Sequence, residues 1–138
     1  MDEADCARGD AMRRRVLGDA HVDRARGGAT AFSAPMQDFV TGVAWGQVWT
    51  RDDLPLPVRS LVTLAMLIAL DRPQELQAHA LGALRNGCTP AEIRAVLHQA
   101  AIYCGFPAAL DAMRVVAGVV EPAVEQGLDG GWNRETAE

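Results

Sequence analysis

The segment from Asp71 to Asn86 carries the residues best suited to proton transfer. Arg72, Glu75 and His79 are spaced i, i+3 and i+7, so a helix would place them on one face over two turns. The Glu75 carboxylate lies four residues before His79, where it can accept a hydrogen bond from the imidazole and raise its pKa. A histidine that titrates near neutral pH can donate or accept a proton in catalysis. The same spacing also fits a solvated helix face with an ordinary ion pair.

Binding of an anion depends in this chain on arginine, histidine or backbone N–H groups, because the sequence contains no lysine. All 13 basic residues are arginines. This excludes Schiff-base chemistry, lysine-bound pyridoxal and a Walker-type phosphate lysine. Arg51 and Arg59 flank a proline-rich turn, and either could be a surface charge or bind a ligand carboxylate as a bidentate pair. His21 lies in a polar connector, and taken alone it fits a surface position better than a binding role.

Two tryptophans and a third histidine have both structural and functional readings. Trp45 and Trp49 are one helical turn apart, which fits either core packing or the wall of a ligand pocket. His98 lies on an apolar helix and fits a core or interface position. A metal site built from Glu75, His79 and a third histidine lacks the H-E-x-x-H spacing of zinc enzymes, so no metal is predicted.

Length and composition indicate one globular domain. The chain has 138 residues, of which 49% are hydrophobic and 22% charged. A net charge of −5 provides no field that would attract nucleic acid or anionic lipid, so neither is expected as a partner. Three cysteines without a C-x-x-C motif favour a reducing compartment. With no signal peptide or membrane-length apolar run, the sequence predicts a cytoplasmic protein.

Residues that typically start or end helices recur along the chain, and no segment shows the alternation of apolar and polar residues that is typical of a strand. We therefore predict an all-α fold of five to six helices in one domain over residues 1–138, with loose tails at 1–10 and 121–138. Ser33, Asp71 and Thr89 are the expected N-caps, and Gly18, Gly87 and Gly105 the expected terminators. The predicted helices cover residues 11–17, 35–49, 58–70, 73–86, 90–104 and 108–120, with a polar connector at 21–28.

The helix predicted over 58–70 is apolar almost all round. A soluble helix of this kind must be buried, and a chain this small has few residues available to cover it. The sequence therefore predicts a homo-oligomer in which this helix is covered by a second subunit.

Several motifs resemble, in order, the carboxymuconolactone decarboxylase family, and within it the 4-carboxymuconolactone decarboxylases of protocatechuate breakdown. The resemblance runs from about Val16 to Val120. The block around W-G-x-V-W-[TS]-R joined to R-S-L-[VI]-T is fairly specific, whereas N-G-x-T-x-x-E-I is shared across the wider superfamily. The matching segments are HVDRA (21–25), AWGQVWTR (44–51), VRSLVTLAMLIAL (58–70), ELQAH (75–79), ALRNGCTPAEI (83–93) and IYCGFPAA (102–109).

The resemblance implies a compact AhpD-like all-α domain assembled as a ring, a homohexamer or homotrimer. It also implies a small lactone dicarboxylate substrate whose own ring accepts the electrons, so that no cofactor is needed. His79 would donate the proton or hydrogen-bond the dienolate oxygen, with its pKa tuned by Glu75. The substrate-binding residues implied are Arg51 and Arg59 for a carboxylate, His21, and Trp45 and Trp49 as pocket walls.

Three alternatives remain beside this interpretation. The superfamily includes thiol peroxidases resembling AhpD, which carry C-x-x-C just before the matching histidine and a glutamate after the arginine of R-x-L. Here those positions hold Arg72, Glu75 and Ser60, so the thiolate pair of a peroxidatic cycle is missing. The second alternative is a family member that acts on another small acid or lactone, for instance in a biosynthetic pathway. The third is a non-catalytic helical oligomer that binds a partner.

Overall fold

The computed structural model describes residues 1–130, and every regular element within them is helical. The all-α prediction is confirmed for these residues, although seven α-helices replace the expected five to six. A π-helical segment, Val40–Val48, directly follows the third helix. The α-helices are Glu3–Leu17 (α1), Asp19–Gly27 (α2), Ala34–Phe39 (α3), Leu56–Ala69 (α4), Pro73–Arg85 (α5), Pro90–Tyr103 (α6) and Phe106–Glu125 (α7).

Contacts within the chain define two compact units, with the boundary between Pro55 and Leu56. The first unit contains α1, α2, α3 and the π segment. The second contains α4 to α7. The single domain predicted over residues 1–138 stays a prediction.

Helix α1 includes most of the residues that the sequence predicts as a loose tail over 1–10. A capping box starts it: the Asp5 N–H donates to the Asp2 carboxylate at 2.8 Å, and the Asp2 N–H donates to the Asp5 carboxylate at 3.0 Å. These bonds satisfy backbone donors that a helix start leaves open. The helix ends at Gly18, whose φ of 87° favours glycine, as predicted.

The predicted connector from His21 to Gly28 is helical over most of its length, as α2. Its charges suit the two ends of a helix, because Asp19 lies in the first turn and Arg24 and Arg26 lie in the last. Each sign faces the favourable end of the helix dipole. The polar composition that predicts a loop therefore stabilises a short surface helix.

The helix predicted over residues 35–49 is present, but its winding changes at Val40. The Trp49 N–H donates to the Ala44 carbonyl, five residues back, at 2.9 Å. Such bonding defines π-helical geometry, which occurs frequently at functional sites. Ser33 is the N-cap residue of α3 as predicted, but its hydroxyl accepts from the Thr30 N–H at 2.9 Å instead of capping the helix.

Helices α4 to α7 share one apolar core in the second unit. The turn at residues 70–72 joins α4 to α5, and Asp71 adopts a φ of 55° there. Aspartate tolerates this left-handed conformation better than most residues. The predicted cap at Asp71 is wrong, since Arg72 occupies the N-cap position without a side-chain bond. Core members include Leu64, Ile68, Leu76, Ala80, Leu84, Ile93, Leu97, Val116 and Val120.

Of two helix ends predicted in this unit, one is confirmed and the other lies further along the chain. The predicted capping box of α6 is confirmed, with the Thr89 and Glu92 side chains each accepting from the other residue's backbone N–H. Helix α7 continues to Glu125, beyond the end predicted at residue 120. Pro122 removes one helical hydrogen bond, but Ala123 beyond it is buried, and that packing favours continuation. Residues 131–138 of the predicted C-terminal tail lie outside the described part of the chain.

Helix α4 buries one face and exposes another. Ser60, Leu64 and Ile68 are buried, whereas a stripe at i, i+4 spacing is exposed, with Met66 59% and Leu70 63% accessible. The exposed stripe consists of Val58, Val62 and Met66 on α4 and of Leu70, the residue directly after the helix. Its apolar character fits the predicted burial against another subunit, which stays a prediction. None of the helices described over residues 1–130 is long and apolar enough to cross a membrane.

Candidate functional site

The π segment places two indole rings against each other. Trp45 and Trp49 are 4% and 8% exposed, with ring centroids 4.8 Å apart and planes inclined by 23°. This is a stacked aromatic pair at a separation typical of such pairs. The rings therefore belong to the packed part of the first unit. Their predicted role as the wall of a substrate pocket stays a prediction.

Arg51 follows the π segment in an exposed turn. Its guanidinium donates to the Asp53 carboxylate from Nε at 2.9 Å and from Nη2 at 2.5 Å. These bonds raise the pKa of Arg51 above its ordinary value. The pair is exposed, so water and salt weaken it and a second carboxylate can compete for the guanidinium. Binding of substrate at Arg51 would require such an exchange.

His21 is half-buried on α2, and α3 lies between α2 and the π segment in the chain. The carboxylates on either side of it are held by Arg14, whose Nη1 donates to Asp19 at 3.3 Å and to Asp23 at 2.8 Å. These acidic groups are therefore already engaged by a guanidinium. The role of His21 in substrate binding stays a prediction.

Arg59 lies near the start of α4, in a stretch that is tied to the end of α5. The Asn86 Nδ2 donates to the Ser60 Oγ at 2.9 Å, and the Cys88 thiol donates to the Pro57 carbonyl at 3.2 Å. The backbone on both sides of Arg59 is thus fixed from outside its own helix. Arg59 itself is half-buried, which suits a side chain that must present a guanidinium from a rigid base.

Glu75 and His79 lie one turn apart on α5, as the sequence predicts. Glu75 is in the first turn and exposed, and His79 is half-buried. An acidic residue in the first turn interacts favourably with the helix dipole. Tuning of His79 by Glu75 stays a prediction.

The seven predicted site residues are divided between the two units. Trp45 and Trp49 stack on each other, and Glu75 and His79 share α5, which packs against the helix that carries Arg59. The first unit contains His21, Trp45, Trp49 and Arg51. The second contains Arg59, Glu75 and His79.

A large cavity in the second unit does not include any of these residues. It is an open groove of about 490 Å³ between α6 and α7, with an apolar floor that includes Ile93, Leu97 and Val116. Among the described residues that line it, Arg94, Glu121 and Glu125 carry charged side chains. No histidine of residues 1–130 lines this groove, so the predicted proton donor His79 lies outside it.

The cysteines do not form a redox pair among the described residues. Cys6, Cys88 and Cys104 are all free thiols. Burial, with a smaller contribution from Glu92, raises the pKa of the Cys88 thiol to about 11. The thiol is therefore protonated at neutral pH, and a protonated thiol is a poor nucleophile.

His98 is exposed rather than part of the core of this chain.

Metal ligands do not converge in the described structure. Over residues 1–130 there is no group of three or more His, Cys, Asp or Glu side chains able to hold a metal ion.

Sequence reasoning missed two polar connections, the Ser60–Asn86 bond and the contacts of Asp5 and Arg13 from α1. The signal for the second is the recurrence of Asp5, Gly9 and Arg13 at i, i+4 and i+8, which spans the predicted tail (1–10) and the predicted helix (11–17).

Comparison with known proteins gives a family and two similar enzymes. A profile of the carboxymuconolactone decarboxylase family matches residues 34–118, more than half of the chain. The chain is 40% identical over 116 residues to nitrosuccinic acid decarboxylase of Metarhizium robertsii, covering 84% of this chain and 81% of that protein. It is 38% identical over 118 residues to 4-carboxymuconolactone decarboxylase of Acinetobacter baylyi, covering 86% and 88%. The chain therefore belongs to the carboxymuconolactone decarboxylase family.

Proposed function

We propose that this protein is a carboxy-lyase that removes CO2 from a small carboxylated lactone or acid without a cofactor. The first candidate substrate is 4-carboxymuconolactone, and the product would be the 3-oxoadipate enol-lactone of protocatechuate degradation. One observation carries the proposal: two decarboxylases match this chain at 38–40% identity over more than four-fifths of its length.

The lactone contains its own electron acceptor. One saturated ring carbon bears both a carboxylate and an acetate arm. When CO2 leaves that carbon, the electron pair moves through the C=C bond into the lactone carbonyl and forms a dienolate. A proton then adds to the ring carbon next to the carbonyl. The protein has to hold two negative charges, stabilise the developing oxyanion and deliver one proton.

Each of these tasks has a candidate residue. His79 donates the proton or hydrogen-bonds the dienolate oxygen, and the charge of Glu75 favours its protonated form. Arg59 and Arg51 anchor carboxylates, Arg51 after exchange with Asp53. The other proposed contacts are His21, with Trp45 and Trp49 as an apolar wall that would exclude water. An apolar surface at the leaving carboxylate would favour CO2 loss, since it removes solvation of the charge.

Nitrosuccinic acid is the second candidate substrate, because the chain is 40% identical to an enzyme named for it. This compound also carries two carboxylates, and a nitro group next to one of them. Loss of that carboxylate would place the electron pair in the nitro group as a nitronate, which then takes a proton at carbon. The same anchors and the same proton donor would serve both substrates.

A direct comparison of the two substrates tests the proposal. Purified protein is incubated with enzymatically generated 4-carboxymuconolactone or with nitrosuccinate, and substrate absorbance and released CO2 are followed with and without EDTA. We expect CO2 from one of them at a rate that EDTA does not change. Release only from nitrosuccinate would replace the first substrate by the second. A folded protein that releases CO2 from neither would contradict the proposal.

The proposed enzyme is a cytoplasmic homohexamer or homotrimer. The exposed apolar stripe on α4 supports assembly, because a monomer would leave Met66 and Leu70 in water. Light scattering at micromolar concentration checks the mass, and Met66→Glu should reduce it by placing a charge within the stripe. A stable monomer of the unmodified chain would contradict the proposed assembly.

A further inference from the structure

Helix α1 presents a row of buried residues that two charged side chains make unusual. Asp5, Gly9 and Arg13 are spaced by four residues and so lie on one face of the helix. All three are buried, and the Asp5 carboxylate is ion-paired with Arg8, as buried charges almost always are. This face packs on the π segment of the same unit.

The two charged residues of the row bind opposite ends of the π segment. At the far end, the Gln47 Nε2 donates to the Asp5 carboxylate at 3.0 Å. At the near end, the Arg13 Nη1 donates to the Gln37 Oε1 at 2.9 Å and to the Thr41 Oγ1 at 3.3 Å. Helix α1 therefore holds the π segment where it begins and where it finishes.

Glycines allow the two backbones to approach between these polar contacts. A Cβ atom at Gly9 would overlap the Thr41 carbonyl oxygen, and one at Gly46 would overlap the Asp5 carbonyl oxygen. The backbones are thus in direct contact, and side chains at these two positions would push α1 away. The polar contacts at Asp5 and Arg13 depend on this close approach.

Arg13 contributes to this contact at an electrostatic cost. Only 6% of the residue is accessible, and its two hydrogen-bond acceptors are neutral groups, an amide oxygen and a hydroxyl. Burial, followed by the neighbouring charge of Arg26, lowers the pKa of Arg13. In return, the guanidinium fixes the positions of the Gln37 amide and the Thr41 hydroxyl, where α3 passes into the π segment.

Thr41 connects Arg13 to the winding of the π segment. Its Oγ1 donates to the Gln37 carbonyl at 2.7 Å while accepting from Arg13 and, at 3.2 Å, from the Arg26 Nη2. The hydroxyl thus engages the backbone where α3 ends and the π winding starts. Trp45 follows Thr41 by four residues, so a change in winding at Thr41 would rotate the indole.

We infer that Arg13 is a positioning residue, which fixes the start of the π segment through Gln37 and Thr41 and thereby sets the Trp45–Trp49 stack. The effect of Arg13 on catalysis rests on the proposed function, in which the two indoles wall the substrate pocket. The effect of Arg13 on the indole stack does not rest on the proposed function, because the stack exists without substrate. The two consequences are therefore tested separately.

Circular dichroism tests the stack directly, since two indoles at 4.8 Å couple and give a paired positive and negative band in the far ultraviolet. Trp45→Phe assigns the band, because the sequence contains a third tryptophan. We expect Arg13→Met to remove most of the band. Arg15→Met, on the same helix but at an exposed position, should leave it unchanged. A full band in folded Arg13→Met would overturn the inference.

A second pair of variants separates positioning from folding. Thr41→Val keeps the size of the side chain but removes the hydroxyl, whereas Thr41→Ser keeps the hydroxyl. We expect the band to fall in the first and return in the second, while urea midpoints show both proteins folded. If Arg13→Met does not fold, this pair carries the test. Equal bands in the two variants would overturn the inference.

Turnover gives the readout that depends on the proposed function. We expect Arg13→Met to lower kcat/KM by about tenfold, because a displaced pocket wall misplaces the substrate, and Arg15→Met to retain the unmodified value. If the unmodified protein releases no CO2, the proposed function fails while the circular dichroism result still decides the inference. Loss of the band with full kcat/KM would limit the role of Arg13 to the stack and overturn its link to catalysis.

Discussion

Asn86 donates a 2.9 Å hydrogen bond from Nδ2 to the Oγ of Ser60, and the Ser60 side chain is fully buried. The bond joins the end of α5 to the first turns of α4, beside Arg59. The Asn86 Oδ1 is also buried and has no hydrogen-bond partner in residues 1–130. The polar pair is thus only partly satisfied, so removing either member exposes the full cost of burying the other.

Ser60→Ala should lower the free energy of unfolding by about 1–3 kcal/mol, because the amide of half-buried Asn86 loses its acceptor. Urea unfolding measures the change. The double variant Ser60→Ala with Asn86→Ala should lose less than the sum of the single variants, since both act on one bond. Gln99→Ala, at an exposed position on α6, is the control and should stay within about 0.5 kcal/mol of the unmodified protein. Additive losses would contradict the coupling.

The sequence predicts most of the second unit correctly because local signals there agree with packing. The capping box at Thr89 and the helix stops at Gly87 and Gly105 depend on a few adjacent residues, and all three are present. The first unit is predicted less well. Most of α1 before Val16 is polar, so hydrophobic periodicity does not reveal that Asp5, Gly9 and Arg13 pack against a segment more than 25 residues further along the chain.

In the candidate site, too, the sequence predicts local placements correctly and misses contacts between distant residues. Helical spacing is enough to place Glu75 and His79 on one face of α5, and it places Trp45 near Trp49. It does not predict the π winding, because an i→i−5 bond has no signature in the order of apolar residues. Nor does it predict the Ser60–Asn86 bond, which joins positions 26 residues apart. Contacts of this kind are decided by tertiary packing.

His79→Ala should lower kcat by roughly 10²–10⁴, the usual effect of removing a positioned acid or base. His79→Gln should retain more activity if hydrogen bonding to the dienolate oxygen is the larger contribution. Steady-state turnover measures both variants. His98→Ala, which changes an exposed histidine on α6, should match the unmodified enzyme. A His79→Ala enzyme with full kcat would transfer the proton-donor assignment to His21.

Glu75→Gln should act on the pH–rate profile rather than on the chemistry itself. A nearby anion favours the imidazolium, so loss of the Glu75 charge should move the basic limb of the profile to lower pH. The displacement should be less than about one pH unit, because Glu75 is exposed and solvent screens its charge. Profiles of kcat for the two proteins, recorded at one ionic strength, measure it. A basic limb that moves to higher pH would contradict the role of Glu75.

Arg59→Ala should raise KM by about 10- to 100-fold with little change in kcat. An arginine that anchors a spectator carboxylate contributes equally in the ground state and the transition state, and a hydrogen bond to a charged group contributes about 1.5–3 kcal/mol. Saturation curves with the active substrate separate the two constants. Arg94→Ala removes a guanidinium from the α6–α7 groove and serves as the control. A fall in kcat at constant KM would place Arg59 at the reacting atoms.

The Cys88 thiol combines complete burial with a hydrogen bond to the Pro57 carbonyl at 3.2 Å. Its pKa in the folded protein is raised to about 11, first by burial and then by Glu92. In the unfolded chain a cysteine titrates at about 8.5. Between these two values the unfolded state releases a proton that the folded state keeps, so stability must fall as the pH rises.

We therefore expect the unfolding free energy of the unmodified protein to decline between about pH 8.5 and 11 by about 1–2 kcal/mol more than that of Cys88→Ala. The variant is less stable at pH 7, since it loses the thiol packing, but its deficit should shrink as the pH rises through this window. Urea titrations at several pH values measure both curves. Cys104→Ala, which removes an exposed thiol, should follow the unmodified protein in parallel. A Cys88→Ala deficit that is constant from pH 8 to 11 would show that burial does not hold the proton on this thiol.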